Sequence, residues 1–308
     1  MLMLLKKVDK LMGNRFEFTV IGENENWCAE KIDLAIEEIK RIEKLLTTFS
    51  TESITHQINE NAGIQPVTVT EEVFALVQRC QMLSKITQGA FDISYGGIDK
   101  KFWNFDLKMT TLPDPELAKK SVALINYQNI VLDEQKRTVF LKNKGMRIGF
   151  GGIGKGYAAE MAKRKLQENG VKSGIVNASG DLSAWGYQEN GEAWTIGIAN
   201  PNLRNDIFST FKITNTAVAT SGNYEKFVMI NNKKYSHTID PKTGYPVSGI
   251  KSVTIIAENA EIADALATPV TVMGIEVGLD FINQLKHIGC IIIDDADNKY
   301  FSKNINLT

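Results

Sequence analysis

Asp264 and Thr268 stand four positions apart in the stretch AEIADALATPVTVMG, residues 260–274. On a helix that spacing puts a carboxylate and a hydroxyl on one face, with Cβ atoms about 5–6 Å apart. Hard oxygen donors suit magnesium, which keeps one or two carboxylates and completes its shell with water and phosphate oxygens at about 2.0–2.1 Å. The same pattern also fits an alanine-rich packing helix with a polar edge.

A second stretch, GFGGIGKGYAAE at 149–160, carries Lys155 among glycines. Gly149, Gly151 and Gly154 spell the dinucleotide fingerprint, and Gly149, Gly154 and Lys155 spell most of a nucleotide P-loop. Neither has its context. The fingerprint belongs in an early βαβ unit, whereas this loop lies mid-chain and precedes a β-meander. A P-loop needs Ser or Thr after its lysine for magnesium, and position 156 is glycine. The local physics remains. Arg147-Ile148 reads as a strand end, the glycines permit positive φ and close approach, and a helix starting near Gly156 aims its N–H groups at the loop. An anion seat with Lys155 as a full charge is one reading; a tight strand-to-helix turn with a solvated lysine is the other.

Two further stretches carry reactive or ligand-facing side chains. KYSHTIDPKTGYPVSG (234–249) sets His237 just before a turn rich in Pro and Gly. An imidazole exchanges protons near neutrality, its unperturbed pKa being roughly 6.5; it also serves simply to pin a loop. His56 and His287 lack such a setting. In TQGAFDISYGG (87–97) a glycine-led turn delivers Phe91 and Asp92 together. An aromatic face beside a carboxylate suits a ring-bearing ligand with hydroxyls, and equally a buried Phe with an aspartate capping a turn.

The elements that must position these residues are legible in outline. FEFTVIG (16–22) reads as a strand. Ile32, Ala35, Ile36, Ile39, Ile42 and Leu46 recur at helical spacing. A second helix is expected from Glu71 to Lys85, capped by Thr70 and followed by Gly89, and a third from PDPELAKKSVAL, with Asp114 as cap and Pro115 in the first turn. Gly156 to Glu168 reads as a helix ending at Asn169-Gly170. Region 171–257 alternates short β-rich runs with Gly, Asn and Pro turns, and the tail returns to helix and then the strand CIIID. Helices and meanders in blocks predict an α+β fold, and with no linker or repeat the expectation is one unit over 1–308.

Composition narrows the partners. The chain has 308 residues and a net charge of −1, which implies no broad basic surface and no nucleic-acid partner. Cys28, Cys80 and Cys290 are odd in number and far apart, as expected of three reduced thiols. MLMLLKKVDK has too short an apolar core for a signal peptide, and no run reaches the roughly 18 apolar residues of a membrane span. As written, the sequence reads as cytoplasmic.

Taken together, GAFD, GGIxKG, VNxxGD, TSGxYE, HxIDPxTGxP and ADALAT, in this order from about Met12 to Gly274, resemble the ApbE family of FAD:protein FMN transferases. The resemblance implies an α+β fold around a central FAD cleft. It also implies an enzyme that binds FAD and Mg2+, attaches FMN through a phosphoester to a Thr or Ser of an acceptor flavoprotein, and releases AMP. Carried onto this chain, the metal ligands are the Gly152 carbonyl and the side chains of Asp264 and Thr268. Lys155 matches a lysine near the FAD. His237 matches the histidine by the reacting phosphate, as base or hydrogen-bond donor, and Thr238 follows it in the binding segment. Ala90, Phe91 and Asp92 match the flavin-contacting stretch. Met12 falls where an N-terminal Met-Gly contacts FAD, and Phe49 where an aromatic residue stacks on it.

This chain departs from the family pattern in places. Gly149-Phe150 replaces the usual Asp-Leu, removing an acidic contact, and Ala178-Ser179 stands inside VNxxGD. Pro269 follows Thr268 directly and is expected to kink the helix there. Relatives are mostly exported or membrane-anchored. A pyrophosphatase yielding FMN and AMP, or a flavin-storage protein, are the alternatives. No acceptor motif of the family type occurs in the chain itself, so a separate protein is the expected acceptor.

Overall fold

The protein is described from a computed structural model covering residues 2–98, 111–199, 207–222 and 227–305. Its strands are β1 (Met3–Leu11), β2 (Asn14–Gly22), β3 (Val67–Thr68), β4 (Ile130–Asp133), β5 (Thr138–Leu141), β6 (Ser173–Ala178), β7 (Asp181–Trp185), β8 (Trp194–Ala199), β9 (Ile207–Ile213), β10 (Thr216–Gly222), β11 (Phe227–Ile230), β12 (Lys233–Ser236), β13 (Ile250–Ala257), β14 (Gly289–Asp294) and β15 (Lys299–Phe301). Its helices are α1 (Glu25–Leu46), α2 (Ile54–Glu60), α3 (Glu71–Ile86), α4 (Pro115–Ser121), α5 (Gly154–Glu168), α6 (Ala260–Met273) and α7 (Ile275–Asn283).

Eight strands form one sheet in the order β1-β2-β6-β7-β10-β13-β14-β15. Every neighbouring pair in it is antiparallel, so the fold is α+β as the block pattern predicts. Helices α1, α5 and α6 cover one face. Their apolar stripes meet Phe16, Phe18, Val176, Ala217, Val253 and Ile255 in the main core. The opposite face carries a smaller cluster in which Ile21, Leu182, Ala184 and Val218 pack against Trp194, Ile196 and Ile213 of β8 and β9. The two-residue period of a strand therefore divides β7. Leu182 and Ala184 face the small cluster, while Asp181 and Ser183 point to the helices and bond side chains of α5.

Cap chemistry fixes most helix starts. Asn24, Ser53, Thr70, Asp114 and Asn259 each accept a backbone N–H from the first turn of the helix that follows. Pro115 occupies the first turn of α4, where its missing N–H costs nothing. Helices α5 and α7 are the exceptions: Ile153 and Gly274 precede them and supply no side-chain cap.

Some expectations need adjustment. The N-terminal residues form β1, paired along its length with β2, a strand not anticipated from the sequence. Arg147-Ile148 is not a strand end. Asn59 takes the place of a neighbouring strand there, donating to the Ile148 carbonyl at 3.0 Å and accepting the Ile148 N–H at 2.7 Å. Pro269 lies inside α6, which continues to Met273.

Candidate functional site

Helix α5 begins on the glycine loop, and the first turn of any helix leaves N–H groups without intrahelical partners. Here each of them is satisfied. Gly154 donates to the Phe150 carbonyl at 2.6 Å. Gly156 donates to Asp264 Oδ2 at 2.8 Å, and the Lys155 N–H also goes to the Asp264 carboxylate. Asp264 therefore caps α5 from a different helix. The sequence suggests these amides as a seat for an external anion; instead the anion at the helix end is the protein's own carboxylate. A phosphate group at this loop must be held by the Lys155 side chain, other loop groups or a cation.

The capping is reciprocal. Glu160, buried on α5, accepts the N–H of Ala260 at the start of α6 at 3.3 Å and the Ser183 hydroxyl at 3.2 Å. Each helix thus places a carboxylate at the positive end of the other, a favourable dipole arrangement of about 0.3–2 kcal/mol apiece. Gly156 lets them approach: a Cβ there would lie 2.2 Å from the Ala260 carbonyl oxygen and 2.6 Å from Asp264 Cβ. Arg79 of α3 grips Glu261 in the first turn of α6 at 2.6 and 3.0 Å, clamping α6 from its outer side.

Asp181 completes the polar centre. It follows the β6–β7 turn, where Ser179 and Gly180 both have positive φ, at 55° and 103°. A two-residue hairpin with positive φ at both positions matches the strand twist, and it leaves Asp181 at the first position of β7. Only 2% exposed, Asp181 ion-pairs with the Lys155 ammonium and accepts the Thr220 N–H from β10. Burial, then the nearby Asp264 charge, push its carboxyl up to about 7, against the pull of Lys155. Burial raises Asp264 as well, with Lys155 and the α5 amides opposing. Two buried acidic side chains thus share one ammonium in a site of oxygen donors.

Three distant segments border the loop. A Cβ on Gly154 would stand 3.8 Å from Met12 Cε, one on Gly152 3.8 Å from Phe91 Cε2, and one on Gly149 3.8 Å from Thr48 Cγ2. Met12 has φ 51° and donates its N–H to Glu43 at 3.0 Å. Phe49, next to Thr48, is 98% exposed, a bare aromatic face by the loop. Ala90 and Phe91 are buried. Asp92 caps a short 3-10 turn: Oδ1 accepts the Ser94 N–H and hydroxyl, and Oδ2 accepts the Tyr127 N–H at 2.7 Å. Its capping role is the one the geometry describes. The turn it shapes then bonds the loop, Ile93 accepting the Gly149 N–H at 2.9 Å.

His237 is exposed and follows β12, while Thr238 is buried and pairs its carbonyl with the Val247 N–H. The turn beyond them is held by Tyr245, which donates to the Pro113 carbonyl at 3.0 Å. Ile239 packs with Ile98 and Val122, and with Tyr95 of the segment that borders the loop. Thr268 is half-buried one turn beyond Asp264 on α6. Within TSGNYE, residues 223–225 lie outside the described residues. Asp181 received no role from sequence: VNxxGD marks it, but nothing local indicates that its partner is Lys155, 26 residues earlier.

Among the described residues no three His, Cys, Asp or Glu side chains gather into a metal cage. A zinc-type centre is not what the side chains build there. One or two carboxylates beside loop carbonyls and a hydroxyl-bearing helix fit the donor chemistry of magnesium, which takes the rest of its shell from water and phosphate.

The ApbE family model matches residues 12–292. The FAD:protein FMN transferase of Klebsiella pneumoniae (strain 342) is 32% identical over 285 residues, covering 92% of this chain and 87% of the relative; that of Haemophilus influenzae is 25% identical, covering 96% and 88%. Among solved structures, the ApbE protein of Thermotoga maritima superposes with a TM-score of 0.87 at 28% identity, covering 98% of this chain and 97% of that one. The flavin transferase ApbE of Vibrio cholerae gives 0.85 at 22% identity, a likeness of fold. The chain belongs to the ApbE family, and with it to the transferase enzymes. Among the described residues no helix is long and apolar enough to cross a membrane.

Proposed function

We propose that this chain transfers FMN from FAD to a Thr or Ser hydroxyl of an acceptor flavoprotein, with Mg2+, forming a phosphoester and releasing AMP. The observation that carries this reading is the junction of α5 and α6. There Asp264 occupies the helix amides, Lys155 stands between two buried carboxylates, and the glycine loop opens beside them. In a site so arranged the one ammonium is already engaged by acidic side chains, so further positive charge entering with a diphosphate would favour its binding.

Asp264, the Gly152 carbonyl and the Thr268 hydroxyl are the groups that would hold magnesium. When bound, the ion supplies charge neutralisation for the phosphoryl oxygens and for the departing AMP. The Asp264 carboxylate has lone pairs beyond those used in capping, so holding α5 and holding a cation are compatible. Lys155 contributes a second positive contact to the diphosphate. Phe49 offers a stacking face to the flavin, and Met12 and Phe91 line the loop. The acceptor oxygen attacks the FMN-side phosphorus, the phosphorus–oxygen bond to AMP breaks, and His237 takes the acceptor proton. Its exposure suits this task, since a protein acceptor must reach it from solvent.

The test is mass spectrometry of a flavoprotein acceptor after incubation with the chain, FAD and Mg2+. A flavinylated acceptor with AMP released supports transfer. Free FMN and AMP with the acceptor unchanged identify a pyrophosphatase, and intact bound FAD identifies a storage protein.

A further inference from the structure

Helix α3 holds the first turns of both helices that meet at the glycine loop. Arg79 of α3 forks onto Glu261 in the first turn of α6, with Nε 2.6 Å from Oε1 and Nη2 3.0 Å from Oε2. The same guanidinium lies over the ring of Tyr157 in the first turn of α5, 5.9 Å from its centroid. Tyr157 donates its hydroxyl to Glu72 of α3 at 2.7 Å, and Glu72 is itself forked by Arg41 of α1. Glu261 is 4% exposed, and a carboxylate buried that far is costly to leave unpaired. A surface pocket of about 240 Å³ opens beside the pair, lined in part by Arg79, Tyr157, Asn259 and Glu261. Without Arg79, Glu261 gains by swinging towards water in that pocket, and the start of α6 has room to follow.

The candidate cation ligand stands three residues further along α6. Asp264 reaches the Gly156 N–H at 2.8 Å because α5 and α6 touch backbone to backbone, a Cβ on Gly156 falling 2.2 Å from the Ala260 carbonyl oxygen. Glycine contributes no side chain to absorb a movement of α6 there, so a shift of its first turn passes to Asp264. We propose that Arg79 is a positioning residue for the cation seat: by holding Glu261 it fixes where α6, and with it Asp264, stands against the α5 amides. The inference rests on the reading of Asp264 as a cation ligand. Arg79 acts through the helix and needs no contact with the ion.

Mn2+ binding to the full-length protein without FAD, followed by electron paramagnetic resonance, tests this with a readout independent of turnover. The sign of the effect is diagnostic: losing a nearby positive charge tightens the binding of a cation, whereas losing a positioning contact weakens it. Arg79→Met is expected to weaken Mn2+ binding about tenfold. Arg79→Lys, which keeps the charge but cannot fork onto Glu261, is expected to weaken it about threefold. In a Glu261→Gln background, Arg79→Met is expected to cost less than about threefold, since the ion pair is already broken. Arg41→Met loosens the Glu72 end of the network without touching α6, and is expected to leave Mn2+ affinity within about twofold. Unchanged or tighter Mn2+ binding in Arg79→Met overturns the proposal, and so does an equal loss in Arg41→Met. If Arg79→Met does not fold, Arg79→Lys decides, and full Mn2+ affinity in it overturns the proposal. Asp264→Asn separates the two readings. Mn2+ binding unaffected by it removes the cation seat and this inference together; binding that requires Asp264 but is indifferent to the Arg79 variants removes this inference alone.

Discussion

The Asp264 carboxylate accepts the backbone N–H of Gly156 at 2.8 Å, so one side chain both closes helix α5 and faces the candidate cation seat. A residue serving two ends of one site couples the site's integrity to the packing of α5 on α6.

Gly156→Ala tests that coupling. The added methyl would meet the Ala260 carbonyl oxygen at 2.2 Å, and backbone cannot yield as a flexible side chain does. Overpacking of this kind costs about 1–3 kcal/mol. Denaturant unfolding should show that loss, and magnesium-dependent transfer should fall with it because Asp264 is displaced.

His237 and Phe49 should behave in the opposite way, affecting function without stability. Both are exposed, and substitutions at exposed positions change stability less than core substitutions do. His237→Gln is expected to lower kcat by about 10²–10⁴-fold if it removes the acceptor proton, with FAD and Mn2+ binding retained. Steady-state kinetics beside direct binding measurements make that separation.

Phe49→Ala is expected to raise the KM for FAD with a smaller change in kcat. Ring stacking is worth about 1–3 kcal/mol by alanine substitution; fluorescence titration of FAD reads the loss directly. Unchanged FAD affinity would remove Phe49 from the flavin site.

The pH dependence follows from Asp181. Its carboxyl is pushed up to about 7 from an ordinary 3.8, first by burial and then by Asp264. Between these values the folded chain holds a proton that the unfolded chain has lost. Metal-free stability should therefore be greatest near the lower end of this window and fall as pH rises towards 7, by at most about 1.4 kcal/mol per pH unit. Above 7 the contribution is flat. Asp181→Asn should reduce the slope, measured by denaturant unfolding from pH 5 to 8 with a chelator present. Magnesium requires the ionised Asp264 carboxylate, which burial makes harder to ionise, so its affinity should rise with pH.

How far these features could be read from sequence depends on their range. Helix starts such as Asp114-Pro115 and Thr70 are local chemistry, and the α1 stripe from Ile32 to Leu46 is a simple period; both appear where the pattern puts them. The motif order was enough to indicate the family. The pairing of Lys155 with Asp181 was not legible, because a strand, a hairpin and a sheet register bring them together. Nor was the cap of α5: Ile153 in the capping position signals no partner, and Asp264 arrives from 108 residues away. Asp92 shows the converse. Turn capping and ligand contact share one residue type, and the bonds to Ser94 and Tyr127 describe the first.

The most direct measurement is flavin transfer to an acceptor by Asp264→Ala, followed by mass spectrometry over a magnesium titration. Removal of the carboxylate is expected to abolish magnesium-dependent attachment of FMN, or reduce it by about 10²-fold or more, while FAD binding remains detectable. Full magnesium-dependent transfer by this variant would contradict the assignment of the α5–α6 junction as the catalytic cation seat.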